Sequence, residues 1–300
     1  MNKSTQPVPS TGLIWKIINF PLTRIIIALL FIAVAIIGRD ILLSSISKTF
    51  SLDNAISMNL VNMILTILAV HFSYLLYVRL IEKRPAVELS KMGFPKELVG
   101  GMLIGFGLFT VIIGIIWSLG YYHVSGVNNW VVMIPIFTAS VMSGYIEEIV
   151  VRGIILRIME EGIGTWLAVI ISATIFGVLH LGNENATVLS ALAIASTAGV
   201  LLAAVYIITR RLWLAIGLHF AWNFTQGGIF SAAVSGKEEV GLLQSTLNGP
   251  EFITGGLFGP EASIITVILG LSLGIYFLFK AYKKNRFIAP FWILDKTINE

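Results

Sequence analysis

Residues Ser143–Leu156 read SGYIEEIVVRGIIL, with three charged side chains in a run that is otherwise almost wholly apolar. The apolar setting extends to about residues 130–160. That is enough to cross a bilayer, since a spanning helix needs roughly 20 mostly apolar residues. Seven further segments meet the same test, at about 22–43, 57–81, 98–120, 164–181, 188–208, 212–231 and 262–280. Composition agrees, because 56% of the 300 residues are hydrophobic, only 12% are charged and the mean hydropathy is +0.89. A soluble domain needs more charge to stay dissolved, and its apolar residues follow a period of 2 or 3.6 instead of forming long runs. The sequence therefore predicts an all-α fold, a polytopic transmembrane bundle of about eight spanning helices.

The distribution of charge orients that bundle. With the N-terminus in the cytoplasm, all of the 20 Lys and Arg residues except Arg39, Lys48 and Lys237 fall on the inner side. That is the bias membrane insertion produces, and it predicts both termini cytoplasmic in an inner (plasma) membrane of a bacterium. An isoelectric point near 9.3 would suggest a nucleic-acid partner for a soluble chain. Here loop topology accounts for the basic residues, so the lipid bilayer is the expected partner and nucleic acid is not. Cysteine is absent, which excludes disulfides, thiolate zinc sites, thiol nucleophiles and S-acylation. The N-terminal MNKSTQPVPSTGLIWKIINFPLTR has no small-residue cleavage site behind a short apolar core, so it reads as a soluble tail leading to an anchor helix.

Two connections divide the chain. Glu82–Glu97 (EKRPAVELSKMGFPKE) is a charged loop with two prolines, and Ser235–Ala262 is a long, Gly-rich outer loop of a length typical of lids or mobile linkers. Three regions result: 1–95 with the tail and two helices, 96–231 as the core, and 232–300 with the outer loop, the last helix and a basic tail. No internal repeat is visible, which weighs against a transporter built from duplicated halves.

Ionisable residues at membrane depth are costly and point to function. Glu148 and Arg152 are four apart with the acid first, the favoured orientation for a helical ion pair. The pairing leaves Glu147, about 100° round the helix, without a local partner. His219 and Asn223 in HFAWN share one face of the seventh segment, His180 in FGVLH lies near the end of the fifth, and His71 stands alone on the second. Counting 1.5 Å per residue from the inner surface, Glu147 comes to roughly 20 Å, His180 to about 22 Å, and His219 and Asn223 to roughly 12 and 18 Å. Three helices thus bring polar groups to similar depths. Glu148–Arg152 reads as a structural pair, and His71 as a histidine bonded to a neighbouring helix.

Such a set suits amide hydrolysis. A carboxylate acts as general base on water, an imidazole shares its proton or orients the water, and an amide with a second imidazole stabilises an oxyanion. The same groups also suit zinc held by two histidines and a carboxylate, although the HExxH helix is absent.

EEIVVR, FGVLH and HFAWN, in that order on three helices, resemble the EExxxR, FxxxH and HxxxN motifs of the CPBP intramembrane proteases. That family includes the type II CAAX prenyl endopeptidases and bacterial homologues named for bacteriocin immunity. The resemblance covers residues 95–231, and GGLFGPEAS (Gly255–Ser263) is similar to bacterial members. It implies an intramembrane endopeptidase acting on a membrane protein or lipidated peptide. Glu147 is then the water-activating base, His180 its partner, His219 and Asn223 the oxyanion donors, and Glu148 with Arg152 the support. A glutamate mechanism without cofactor is the preferred reading, with a zinc-dependent version as the alternative. A scaffold or immunity protein that keeps the protease fold without turnover is the competing class. The fifth helix, at about 25 Å, is shorter than a hydrocarbon core of roughly 30 Å, so a wet cavity is expected near His180 and Gly182–Asn185, toward the outer face.

Overall fold

A computed structural model describes residues 12–50 and 54–293; the tail residues 1–11 with Lys3, and 294–300 with Lys296, lie outside it. A short α1 (Leu13–Ile18) precedes α2 (Pro21–Phe50), whose first residue is a proline, tolerated there because that N–H has no helical partner. α3 (Ala55–Tyr77) starts at Asn54, whose side chain accepts the Ile56 N–H at 2.8 Å, and continues as a π-helix, Val78–Glu82. Then come α4 (Phe94–Ser118), the strand β1 (Tyr122–Val127) and α5 (Met133–Glu147). A π-helix, Glu148–Leu156, joins α5 to α6 (Arg157–Leu179). α7 (Val188–Ile194) runs through a further π segment into α8 (Val200–Thr209), and α9 (Trp213–Asn223) ends in a fourth π segment, Phe224–Ile229. β2 (Leu243–Leu247), α10 (Glu251–Thr254) and α11 (Ile264–Lys283) complete the chain.

Six helical runs among the described residues are long and apolar enough to cross a membrane. They differ from the eight expected segments for two local reasons. The run Trp130–Gly182 is helical throughout except at Gly164, where φ 76° and ψ 167° break it into the expected fourth and fifth segments. α9 with its π extension is too short to count alone. Gly164 is required at the break, because a Cβ there would lie 2.8 Å from Pro290 N as well as demanding a positive φ. The chain after α11 docks at this break: the Thr165 N–H donates to Ile288 O, and the Ile288 N–H donates to Thr165 Oγ1.

α8 forms the centre, with Leu201–Ile207 buried throughout. α4 and α9 pack backbone to backbone. A Cβ on Gly101 would sit 2.2 Å from Leu214 O, and one on Gly217 would sit 2.2 Å from Leu98 O. Small residues drive such approaches in membranes, and this one fixes the helix that carries His219 and Asn223.

The two front helices dock on the motif-bearing run. His71 Nδ1 lies 2.5 Å from Tyr145 Oη, as expected of a histidine bonded to a neighbouring helix, and the Tyr74 hydroxyl donates to Gly153 O at 3.1 Å. An ion-pair network closes one end of the bundle: Arg24, Arg84 and Arg157 surround Glu82, and Arg84 and Arg157 also face Glu88. Arg210 pairs with Glu160 and Arg211 with Glu97 at the same end. Charges from four connections therefore meet there.

The other end differs from expectation. β1 and β2 form an antiparallel pair with Tyr122 opposite Leu247 and a bulge between Val124 and Gly126. The stretch Ser235–Ala262, expected as a lid or linker, thus contributes a strand. The Tyr122 hydroxyl and Ser245 Oγ both donate to Phe230 O, which ties the sheet to the end of α9. Strand alternation over five or six residues is too short to stand out beside apolar runs of helix length.

Candidate active site

The end of α5 and the π-helix behind it set the acidic pair. Glu148 and Arg152 are completely buried, and Arg152 NH1 donates to Glu148 Oε1 at 2.8 Å. Arg152 NH2 also donates to Ala198 O and Gly199 O at 3.2 and 3.1 Å, and the guanidinium lies 4.5 Å from the centre of the Phe176 ring. Its acceptors belong to the π segment between α7 and α8. One arginine therefore ties three stretches of the bundle together. π-segments recur at functional sites, and here they flank both the glutamate pair and Asn223.

His219 enters from α9. Its Nδ1 lies 2.9 Å from Glu148 Oε1, and its Nε2 lies 3.8 Å from Glu147 Oε2. The imidazole therefore stands between the two carboxylates. Glu147 is the exposed member, with 35% of its side chain accessible, and its Oε2 has no hydrogen-bond partner among the described residues. It opens into a cavity of about 250 Å³ walled by Ile146, Val150, Val151, Phe176, Leu179, His180 and Asn183. Asn183, and with it the turn that ends the helix, lies where the wet cavity was expected.

His180 sits in the single turn His180–Gly182 that ends α6, with Nδ1 2.7 Å from Phe176 O and its ring 4.7 Å from the Phe176 ring. It lines the Glu147 cavity and also a second, much smaller one of about 10 Å³, shared with His219, Asn223, Trp222, Ser235 and Glu261. That volume matches a single water-sized group. Asn223 Nδ2 donates to Ser143 Oγ at 3.1 Å.

Of the six residues singled out in the sequence, Glu147, His180, His219 and Asn223 thus line two adjoining cavities, and Glu148 and Arg152 stand behind them, tied to His219 through Glu148. The pairing differs in one respect: the imidazole nearest Glu147 is His219, whereas His180 faces it across the cavity wall. Sequence reasoning missed Ser143, Ser235 and the burial of Glu261 at the site. Ser143 was legible in principle, one turn before Glu147 on the same helix. Ser235 and Glu261 lie in the outer connection, where no periodicity reveals burial.

No group of three or more His, Asp or Glu residues among the described ones is arranged to hold a metal ion. His219 Nδ1 is engaged by Glu148 and His180 Nδ1 lies on a carbonyl, so Nε2 is the nitrogen each ring has left for another partner.

Together these features define a polytopic helical membrane protein with a glutamate–histidine site inside the bundle. Residues 128–225 match the family described as Rce1-like, type II CAAX prenyl endopeptidase, and this match supports a membrane protease of the CPBP type. No curated protein and no solved structure matches it. The matched segment begins just before α5 and ends just after Asn223, so it contains every motif residue and excludes the front helices and the outer connection.

Proposed function

We propose that the protein hydrolyses a peptide bond of a membrane protein or lipidated peptide by direct attack of water, with Glu147 as general base and without metal. The observation that carries the proposal is the division of labour between adjacent glutamates. Glu148 is fully buried and bonded through Oε1 to Arg152 and His219, while the Glu147 side chain is 35% exposed and lines an open cavity. Glu147 takes a proton from water, and the resulting hydroxide adds to the carbonyl carbon. His180, which borders both cavities, orients that water. The oxyanion forms toward the small cavity, where Asn223 Nδ2 and His219 stabilise it. As a donor His219 works as the imidazolium, with Nδ1–H on Glu148 and Nε2–H toward the substrate. Collapse of the tetrahedral intermediate breaks the C–N bond and returns the proton to the departing amine. The apolar walls contributed by Ile146, Val150, Val151 and Leu179 suit apolar side chains flanking that bond.

A metal-free reaction makes a direct prediction. Exhaustive chelation should leave cleavage intact, and the purified protein should carry well under one zinc per chain. Zinc bound at one per chain, lost together with activity and restored with it, reverses the mechanism.

We also place the protein in a bacterial plasma membrane with both termini cytoplasmic and the cavity reached from the outer side, in keeping with the basic residues at the opposite end. In this cysteine-free chain, a cysteine replacing Asn183 should react with an impermeant thiol reagent added from outside. Labelling only from inside would place the entrance on the cytoplasmic face.

A further inference from the structure

Glu261 belongs to the GGLFGPEAS stretch, outside the three helical motifs and the matched segment 128–225, and no role has been given to it. It lies in the connection between α9 and α11, outside the spanning helices, yet it is only 2% exposed. Its Oε1 accepts the Ser235 N–H. No ion pair engages it among the described residues. The backbone is shaped to hold it there. Gly259 has φ +111°, and a Cβ on it would lie 2.1 Å from Ala233 O, so segments 233–236 and 259–261 run back to back. Gln226, fully buried, donates from Nε2 to Ala233 O, and Thr266 Oγ1 donates to Pro260 O at 2.6 Å, anchoring the turn to α11.

This turn delivers the Glu261 carboxyl to the small cavity that His180, His219 and Asn223 also line. A buried carboxyl favours its neutral form where burial outweighs the donors and positive charge around it. Here burial pushes it up to about 7, with hydrogen bonds from Ser235 and Trp222 and the nearby His219 opposing the rise. The titratable groups facing it are His219 from α9 and His180 from the end of α6. α7, which packs across the turn, carries none, and Glu251 of α10 lines a separate outer groove. With Oε1 committed to accepting from Ser235, a protonated Glu261 has its hydroxyl left to donate.

We infer that Glu261, as a neutral carboxylic acid, is a third hydrogen-bond donor to the oxyanion, supplied by the outer connection beside Asn223 and His219. The inference rests on the proposed oxyanion position. It does not depend on which residue is the base. A neutral carboxylic acid is a donor, whereas its carboxylate is acceptor-only and repels the developing charge.

The test compares Glu261→Gln and Glu261→Leu, purified as full chains and checked by thermal melting. The probe is a membrane-anchored quenched-fluorescent peptide, with and without a farnesylated cysteine. Losing one oxyanion donor typically costs about 10²–10³ in kcat, and that is the fall expected for Glu261→Leu. Glu261→Gln keeps an N–H donor and should stay within about tenfold of wild type. Wild-type activity should decline as pH rises through about 7, where Glu261 ionises, and this decline should be absent in Glu261→Gln. Infrared difference spectra give a readout independent of cleavage: a carboxyl band titrating near neutrality should appear in the wild type and in Glu147→Gln and vanish in Glu261→Gln. A stable Glu261→Leu with wild-type kcat overturns the inference. So does Glu261→Gln as inactive as Glu261→Leu, which would make Glu261 a proton donor, or a neutral-pH carboxyl band that survives in Glu261→Gln. If Glu147→Gln alone cleaves normally, the base assignment fails and the Glu261 result still stands.

Discussion

Glu147→Gln should lower the cleavage rate by on the order of 10²–10⁴, the range for loss of a general base, and should leave the melting temperature in detergent unchanged. The two halves of that expectation have separate causes. Glutamine preserves size and polarity but accepts no proton from water. Stability is indifferent because the Glu147 carboxylate supports no hydrogen bond inside the protein and is the partly exposed member of the pair. Glu148→Gln makes the informative contrast. Glu148 is fully buried and bonded to both Arg152 and His219, so its neutralisation should cost stability and activity together. Near-normal cleavage by Glu147→Gln would remove it as the base. An activity loss accompanied by a falling melting temperature would show that Glu147 is structural.

The contrast between adjacent glutamates was legible from the sequence because helical spacing alone pairs Glu148 with Arg152. The spanning segments were legible too, since an apolar run of 18 or more residues is long enough to cross the hydrocarbon core and too apolar for a soluble surface helix. Depth arithmetic brought His180, His219 and Asn223 toward Glu147, but it works along helix axes and carries no information on rotation. That is why it left open which histidine faces Glu147. The answer depends on the rotation of α9, set by its close packing on α4 at Gly101 and Gly217, while π-segments at Glu148–Leu156 and Phe224–Ile229 shift the side chains beyond α5 and α9. A 3.6-residue pattern does not distinguish such segments from ordinary helix. The outer connection was least legible. Its glycines read as flexibility, whereas at Gly236 and Gly259 they serve close approach: a Cβ on Gly236 would meet Glu184 O at 1.7 Å. Glycine marks a mobile linker and a tight crossing with the same letter, and only the surrounding chain decides between them.

Arg152→Ala should destabilise the protein by about 3–5 kcal/mol, the usual cost of leaving a buried partner charge uncompensated, and should abolish cleavage with it. Solvent does not moderate the effect, because Arg152 and Glu148 are both fully buried. The substitution also strips donors from Ala198 O and Gly199 O and removes the cation from the face of Phe176. Loss of activity follows by a second route: Glu148, freed from Arg152, no longer holds His219 Nδ1 in place. A paired substitution separates the routes. Glu148→Gln with Arg152→Met removes both charges and keeps apolar volume, so it should recover much of the lost stability, because the remaining partner is no longer charged. Activity should not recover, since a neutral amide holds an imidazolium weakly. Thermal melts of both variants alongside a cleavage assay make the comparison. An Arg152→Ala protein that melts like the wild type yet fails to cleave would move Arg152 out of the scaffold and into contact with the substrate.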